Sequence, residues 1–212
     1  MKNIYVFSGL GTDERVFKNI DLSEYPTTFI RWIDPNQRES IECYAKRLTD
    51  QINNDRPILV GLSFGGIMAT EVANIIETDK IIIIASAKTK KEIPFYFRLA
   101  GQLKLHKILP ARLLVSPGFF NNWLFGTQSA QDKELLAEIL RDTDPNFAKW
   151  AIDKIVTWKN QTQHVNLKHI HGTADRILPF RFVTCDIVVK NGGHFMTVNK
   201  AVELTEKIKS LL

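Results

Sequence analysis

Ser63 stands at the centre of Gly61-Leu62-Ser63-Phe64-Gly65-Gly66, between an apolar run from Pro57 to Val60 and a helix-periodic stretch carrying Ile67, Met68, Val72, Ile75 and Ile76. Gly-x-Ser-x-Gly between strand and helix fits a turn tight enough to expose a serine hydroxyl at the strand's end. A serine hydroxyl is a weak nucleophile at neutral pH and acts only beside a base. His194, after Gly192-Gly193, is the candidate to take that proton and later return it to a leaving group. Asp175, after Gly172-Thr173-Ala174, is the candidate to fix the imidazole tautomer and stabilise the imidazolium. The chemistry of such a trio is acyl transfer. Its developing oxyanion would be met by backbone N–H groups, for which Phe64, at a helix N-terminus, and Leu10, in Ser8-Gly9-Leu10-Gly11, are the candidates.

Residues so far apart in sequence meet only if the elements around them share an edge. Ile4 to Phe7 reads as a buried strand, Thr28 to Ile33 as a second, Pro57 to Leu62 as a third and Lys80 to Ala85 as a fourth. The fourth is apolar without alternation, as suits a strand covered on both faces of a parallel sheet. Val165 to His171 and Thr184 to Val189 complete six strands. Thr12-Asp13-Glu14 reads as a helix start, Ser40 as the cap of a helix carrying Ile41, Tyr44, Ala45 and Leu48, and the last helix carries Leu204 and Ile208. Strand and helix alternate, which argues for an α/β layer fold. In a parallel sheet every strand finishes on one edge, so Ser63, Asp175 and His194, each just past a strand, are expected to gather there.

Three stretches, Gly61-Leu-Ser-Phe-Gly-Gly66, His171-Gly-Thr-Ala-Asp175-Arg-Ile-Leu-Pro179 and Gly192-Gly-His-Phe195, carry a further reading. In them, and in the order Ser, Asp, His, the chain resembles the α/β-hydrolase superfamily. The resemblance implies a minimal, mostly parallel six-stranded sheet with helices on both faces and a helical cap. It departs from the family pattern in three places. The chain opens at what would be the family's third strand, the segment between Asp175 and His194 is short, and Ser8 replaces the histidine of the family's His-Gly loop.

From residue 88 to 162 charge and aromatics interleave with no clear strand, so this stretch is expected to be the helical cap, with 1–87 and 163–212 as the core. Ser129 with Asp132 resembles a capping box, and Asp144 before Pro145 opens another helix. Most aromatics of the insertion must pack it onto the core. Over the serine edge they would also build an apolar acyl pocket, for which Phe119, Phe120 and Trp123 are the candidates. The basic stretch from Lys88 to Arg112 reads as a solvated face, or as a dock for an acyl carrier protein or an anionic membrane surface.

Other functions are disfavoured by composition. With a net charge of +5 over 212 residues, nucleic-acid binding is not expected. No apolar run approaches the roughly 20 residues of a membrane span, the N-terminus lacks a signal-peptide cleavage site, and a cytoplasmic protein is expected. Cys43 and Cys185 offer neither a disulfide framework nor metal-ligand spacing and are expected to pack as small apolar groups. His106 is expected at the surface, and His171 in packing and turn geometry. No metal and no cofactor is expected. The reading is a serine hydrolase of carboxylic esters or thioesters, with related triad chemistry such as perhydrolysis or C–C hydrolysis open. The alternative is a hydrolase-fold receptor or carrier with little turnover.

Overall fold

The computed structural model describes residues 2–108, 110 and 115–212; Arg112, the end of the basic stretch, lies outside them. Among the described residues six strands form one sheet: β1 (Ile4–Phe7), β2 (Thr27–Phe29), β3 (Ile58–Leu62), β4 (Lys80–Ile84), β5 (Leu167–Gly172) and β6 (Ile187–Val189). Their order is β2-β1-β3-β4-β5-β6, and every neighbouring pair is parallel. All six strands therefore end on one edge.

Period-two alternation divides the core between the two faces. Ile4, Val6, Ile58, Val60, Ile82 and Ile84 face one layer, where α7 (Met196–Asn199) and α8 (Ala201–Lys209) pack with the short turn Glu14–Phe17. Tyr5, Phe7, Leu59, Ile81 and Ile83 face the other, formed by α1 (Ile41–Leu48) and α2 (Phe64–Ala73). The isoleucines of β4 are fully buried, and each contributes about 1.5–3 kcal/mol through removal from water. Ser40 accepts from the Cys43 N–H, capping α1 as its sequence implies.

Residues between β4 and β5 form α3 (Phe95–Gln102), α4 (Phe119–Phe125), α5 (Ala130–Asp142) and α6 (Pro145–Val156). The Ser129–Asp132 capping box starts α5, and Asp144 with Pro145 starts α6. These helices are fastened to both layers. Leu136, Ile139 and Leu140 of α5 join the first cluster, and Phe147 and Ala151 of α6 join the second. Two indoles add polar ties, Trp150 Nε1 to the Glu39 carbonyl at 3.3 Å and Trp158 Nε1 to the buried Glu71 carboxylate at 2.6 Å.

Several boundaries differ from the sequence expectation. β2 stops at Phe29 because side chains capture the backbone beyond it: Gln51 bonds both the N–H and the carbonyl of Arg31, and the Tyr44 hydroxyl bonds Ile33. β6 loses its first residues where the Thr184 N–H turns to the Glu92 carboxylate at 2.9 Å. Glu14–Phe17 is only a short 3₁₀ turn capped by Asp13. Cys43 is exposed, since the apolar stripe of α1 runs through Ile41, Tyr44 and Leu48 and turns residue 43 outward; Cys185 is half-buried and precedes β6. His106 is buried rather than at the surface, because its Nε2 pairs with Asp153 Oδ1 at 2.8 Å and ties the chain after α3 to α6. Among the described residues no helix is long and apolar enough to cross a membrane.

Candidate active site

Ser63 joins β3 to α2 at φ 53° and ψ −120°, a conformation costly for a side chain with a Cβ. Such strain persists only where the surroundings over-determine it. The Ser63 N–H donates to the Ile84 carbonyl at 2.9 Å, at the end of β4. Its own carbonyl accepts from Gly66 N–H at 2.9 Å and from Ser86 Oγ at 2.7 Å. The turn is pressed against the end of β1 as well: a Cβ on Gly65 would lie 2.2 Å from the carbonyl oxygens of Phe7 and Ser8.

The other two members arrive from the ends of β5 and β6. Asp175 is buried, and its Oδ1 accepts from the N–H groups of Ile177 and Leu178, both at 2.9 Å. Its Oδ2 lies 2.8 Å from His194 Nδ1, while His194 Nε2 lies 2.8 Å from Ser63 Oγ. Burial pushes the Asp175 carboxyl up, but the His194 imidazole and the Leu178 N–H outweigh it and hold it below the usual carboxylate range. An ionised carboxylate can only accept, so His194 Nδ1 carries the proton and Nε2 presents a lone pair to the serine hydroxyl. All three predicted side chains come together.

Behind Asp175 lies a second histidine pair. His171 Nε2 is 2.8 Å from the Leu178 carbonyl, and His171 Nδ1 is 3.1 Å from His169 Nε2. A carbonyl only accepts, so His171 carries its proton on Nε2 and its Nδ1 accepts from His169 Nε2–H. Burial pushes both imidazoles down, His169 to about 3, so both are neutral near pH 7. Leu178 is thereby held at both ends, by His171 through its carbonyl and by Asp175 through its N–H.

Phe64 follows the serine directly in the chain, and Leu10 lies in the Ser8–Gly11 loop. The Phe64 ring is buried against Trp32, Phe147 and Trp150, leaving its N–H at the start of α2. The Ser8–Gly11 loop passes close by, since a Cβ on Gly9 would lie 3.7 Å from Ser63 Cβ. Neither the Leu10 nor the Phe64 N–H donates to a protein acceptor among the described residues. Ser8 supports this loop by donating to the Thr12 carbonyl at 2.6 Å. Thr143, closing α5, holds it from outside: its Oγ1 lies 2.7 Å from the Gly11 carbonyl and 2.7 Å from that of Ile139.

The end of α4 docks on the histidine loop. The Phe125 ring meets His194 edge-on at 5.7 Å, and its carbonyl accepts from Phe195 N–H at 3.0 Å. Arg176 donates to the Trp123 carbonyl and lies over the Trp123 ring. Phe119 and Phe120, by contrast, are exposed, with Phe120 stacked on Trp123. Sequence reading missed Thr143, Ser86 and Phe125. Only Ser86, directly after a strand end, carried a positional signal. Among the described residues no group of three or more His, Cys, Asp or Glu is placed to hold a metal.

Residues 7–206 match the model of the Alpha/beta hydrolase family. Solved structures of similar shape include a thermophilic esterase from Thermogutta terrifontis, 16% identical, covering 99% of this chain and 89% of that one with a TM-score of 0.72. An N-acyl homoserine lactone degrading enzyme is 17% identical, covering 100% and 93% with a TM-score of 0.69. A hydrolase from Oleispira antarctica is 13% identical, covering 99% and 90% with a TM-score of 0.69. No curated protein matches the sequence.

Proposed function

We propose, from the premise that this chain belongs to the alpha/beta hydrolase family, that it cleaves a carboxylic ester or thioester with an apolar acyl part through an acyl-enzyme on Ser63. The observation that carries this is the unbroken chain of contacts from Asp175 Oδ2 through His194 to Ser63 Oγ, each link 2.8 Å. Ser63 Oγ attacks the substrate carbonyl carbon as its proton passes to His194 Nε2. The carbonyl oxygen becomes an oxyanion received by the Leu10 and Phe64 N–H groups, whose loss one at a time typically costs about 3 kcal/mol of transition-state stabilisation. His194 then returns its proton to the departing alcohol or thiol, and the acyl group remains on Ser63. Water then gives a proton to His194 and attacks the acyl carbonyl, and His194 returns that proton to Ser63 Oγ as the bond to it breaks and the acid leaves.

In this reading residues 88–162 act as a cap, with α4 fixed to both the acid and the histidine loops. The half-buried ring of Phe125 borders the base, while Phe119, Phe120 and Trp123 stand further out, where only the distal part of an acyl chain would reach them. A lactone, which is an internal ester and the substrate class named for one structural neighbour, falls within the proposed chemistry. The carrier-protein reading has less support, because Lys88 is engaged with Asp186 at 3.1 Å and Lys107 faces Asp153 at 3.5 Å.

A fluorophosphonate probe tests the assignment. Covalent labelling of the native chain, absent in Ser63→Ala, is expected; a folded native chain that takes no label overturns it. A second test concerns Thr143, whose hydroxyl shapes the Leu10 loop without touching substrate. Thr143→Val is expected to lower kcat about tenfold, equivalent to roughly 1.4 kcal/mol, with KM little changed. Thr143→Ser, which keeps the hydroxyl, should recover most of the loss; steady-state kinetics on a nitrophenyl ester reads both.

A further inference from the structure

Eight of the thirteen large apolar side chains exposed among the described residues lie between Phe95 and Trp123. Phe95, Leu99 and Leu103 follow one another at four-residue steps on the solvent side of α3 and just beyond it, and Ile108 follows. Phe119, Phe120 and Trp123 stand out from α4; together these seven side chains are 48–87% exposed. A soluble monomer rarely leaves so many large apolar groups together in water.

Both helices flank the same loop, the one that follows Asp175. The rings of Phe95 and Tyr96 pack against Phe182 at 6.4 and 5.8 Å, and the Trp123 ring carries the Arg176 guanidinium at 4.8 Å. Both apolar stripes therefore lie beside the loop that follows Asp175 at the end of β5.

Charge in the two stretches of sequence that carry these helices and this loop is of one sign. The chain has 23 Asp and Glu in 212 residues, yet none between Glu92 and Asp132 and none between Asp175 and Asp186. Within those stretches Lys104, Lys107, Arg176 and Arg181 are exposed, and Lys91 is exposed just before the first. Among the described residues Asp153 of α6 faces them, 3.5 Å from Lys107.

We propose that this face docks the protein on an anionic phospholipid surface. Leu and Phe side chains at this density enter the acyl boundary, while lysine and arginine stems reach past them to the phosphates. A second copy of the chain fits less well, because a two-fold contact sets the patch against itself and brings like charges together. An acidic protein would satisfy the cations and leave the apolar stripes in water. Docking needs no chemistry at Ser63, so it stands or falls apart from the proposed catalysis.

Flotation with vesicles is the test, using the full chain as Ser63→Ala so that lipid cleavage plays no part. Vesicles of phosphatidylglycerol in phosphatidylcholine are compared with phosphatidylcholine alone. Binding to the anionic vesicles is expected, weak on the neutral ones and reduced in about 0.5 M salt, where screening is short-ranged. Lys104→Gln should weaken it about fivefold, and Lys104→Gln with Lys91→Gln about 25-fold. Leu103→Ser with Ile108→Ser should weaken it further while leaving the melting temperature and turnover of a soluble ester unchanged. No flotation with either vesicle, or equal flotation with both at any salt, overturns the proposal. So does a dimer seen by light scattering that the Leu103→Ser and Ile108→Ser changes dissolve while no vesicle is bound.

Discussion

Asp175→Asn is expected to lower kcat about 10⁴-fold and leave the fold standing. Two constraints set that outcome. Asp175 Oδ1 accepts from the N–H groups of Ile177 and Leu178, so an asparagine here must turn its carbonyl oxygen toward them; the reverse orientation would set donors against donors. The amide nitrogen then takes the place of Oδ2, facing His194 Nδ1 at about hydrogen-bond distance. An amide N–H donates, which forces Nδ1 to accept and moves the imidazole proton to Nε2. His194 would then point a proton at Ser63 Oγ where a lone pair is needed, and general-base catalysis is lost. Stability should change little, because the two backbone bonds survive and one fewer charge is buried. Kinetics with a nitrophenyl ester, beside a thermal melt, checks both halves. A kcat within tenfold of the parent would show that the tautomer of His194 does not limit the reaction.

How much of this was legible in the sequence depends on the distance over which each signal acts. The unalternated isoleucines of β4 and the glycines around Ser63 are local, and they sufficed to forecast a parallel sheet whose strand ends meet on one edge. The capping box at Ser129 and the Asp144-Pro145 start were equally local. The errors came where a side chain far along the chain intervened. Gln51 and Tyr44 take the backbone that would have lengthened β2, and Glu92 takes Thr184 from β6. His106 is buried because Asp153, on another helix, accepts its ring N–H. Thr143 reaches the Gly11 carbonyl across 132 positions, and no spacing in the chain announces that contact. The site thus has two kinds of component. Reactive groups were readable from their strand ends, whereas the groups that hold the loops in place emerged only from the packing of α4 and α5.

Gly65→Ala is expected to be among the most damaging single changes in the chain, costing more than about 4 kcal/mol. The new methyl would sit 2.2 Å from two carbonyl oxygens, those of Phe7 and Ser8. Both belong to backbone at the end of β1, and Phe7 is held in register against Gly61. The elbow has no direction in which to retreat. On its far side Ser63 is bonded to the Ile84 carbonyl, and Ser86 holds the Ser63 carbonyl at 2.7 Å. Gly61 blocks a slide along the strand, since its own Cα position stacks against the Gly65 carbonyl so closely that a Cβ there would lie 2.4 Å away. Relief therefore requires parting β1 from β3 in the centre of the sheet. At 2–4 °C for each kcal/mol in a chain of this size, the melting temperature should fall by about 8–16 °C or the variant should not fold at all. Gly118→Ala is the control: nothing lies within 4 Å of that Cβ position and its backbone is extended, so only the weaker N-cap preference of alanine is felt and its melt should stay within about 4 °C of the parent. A Gly65→Ala protein that melts as the control does would mean the elbow has slack, and the strained Ser63 backbone would then need another explanation.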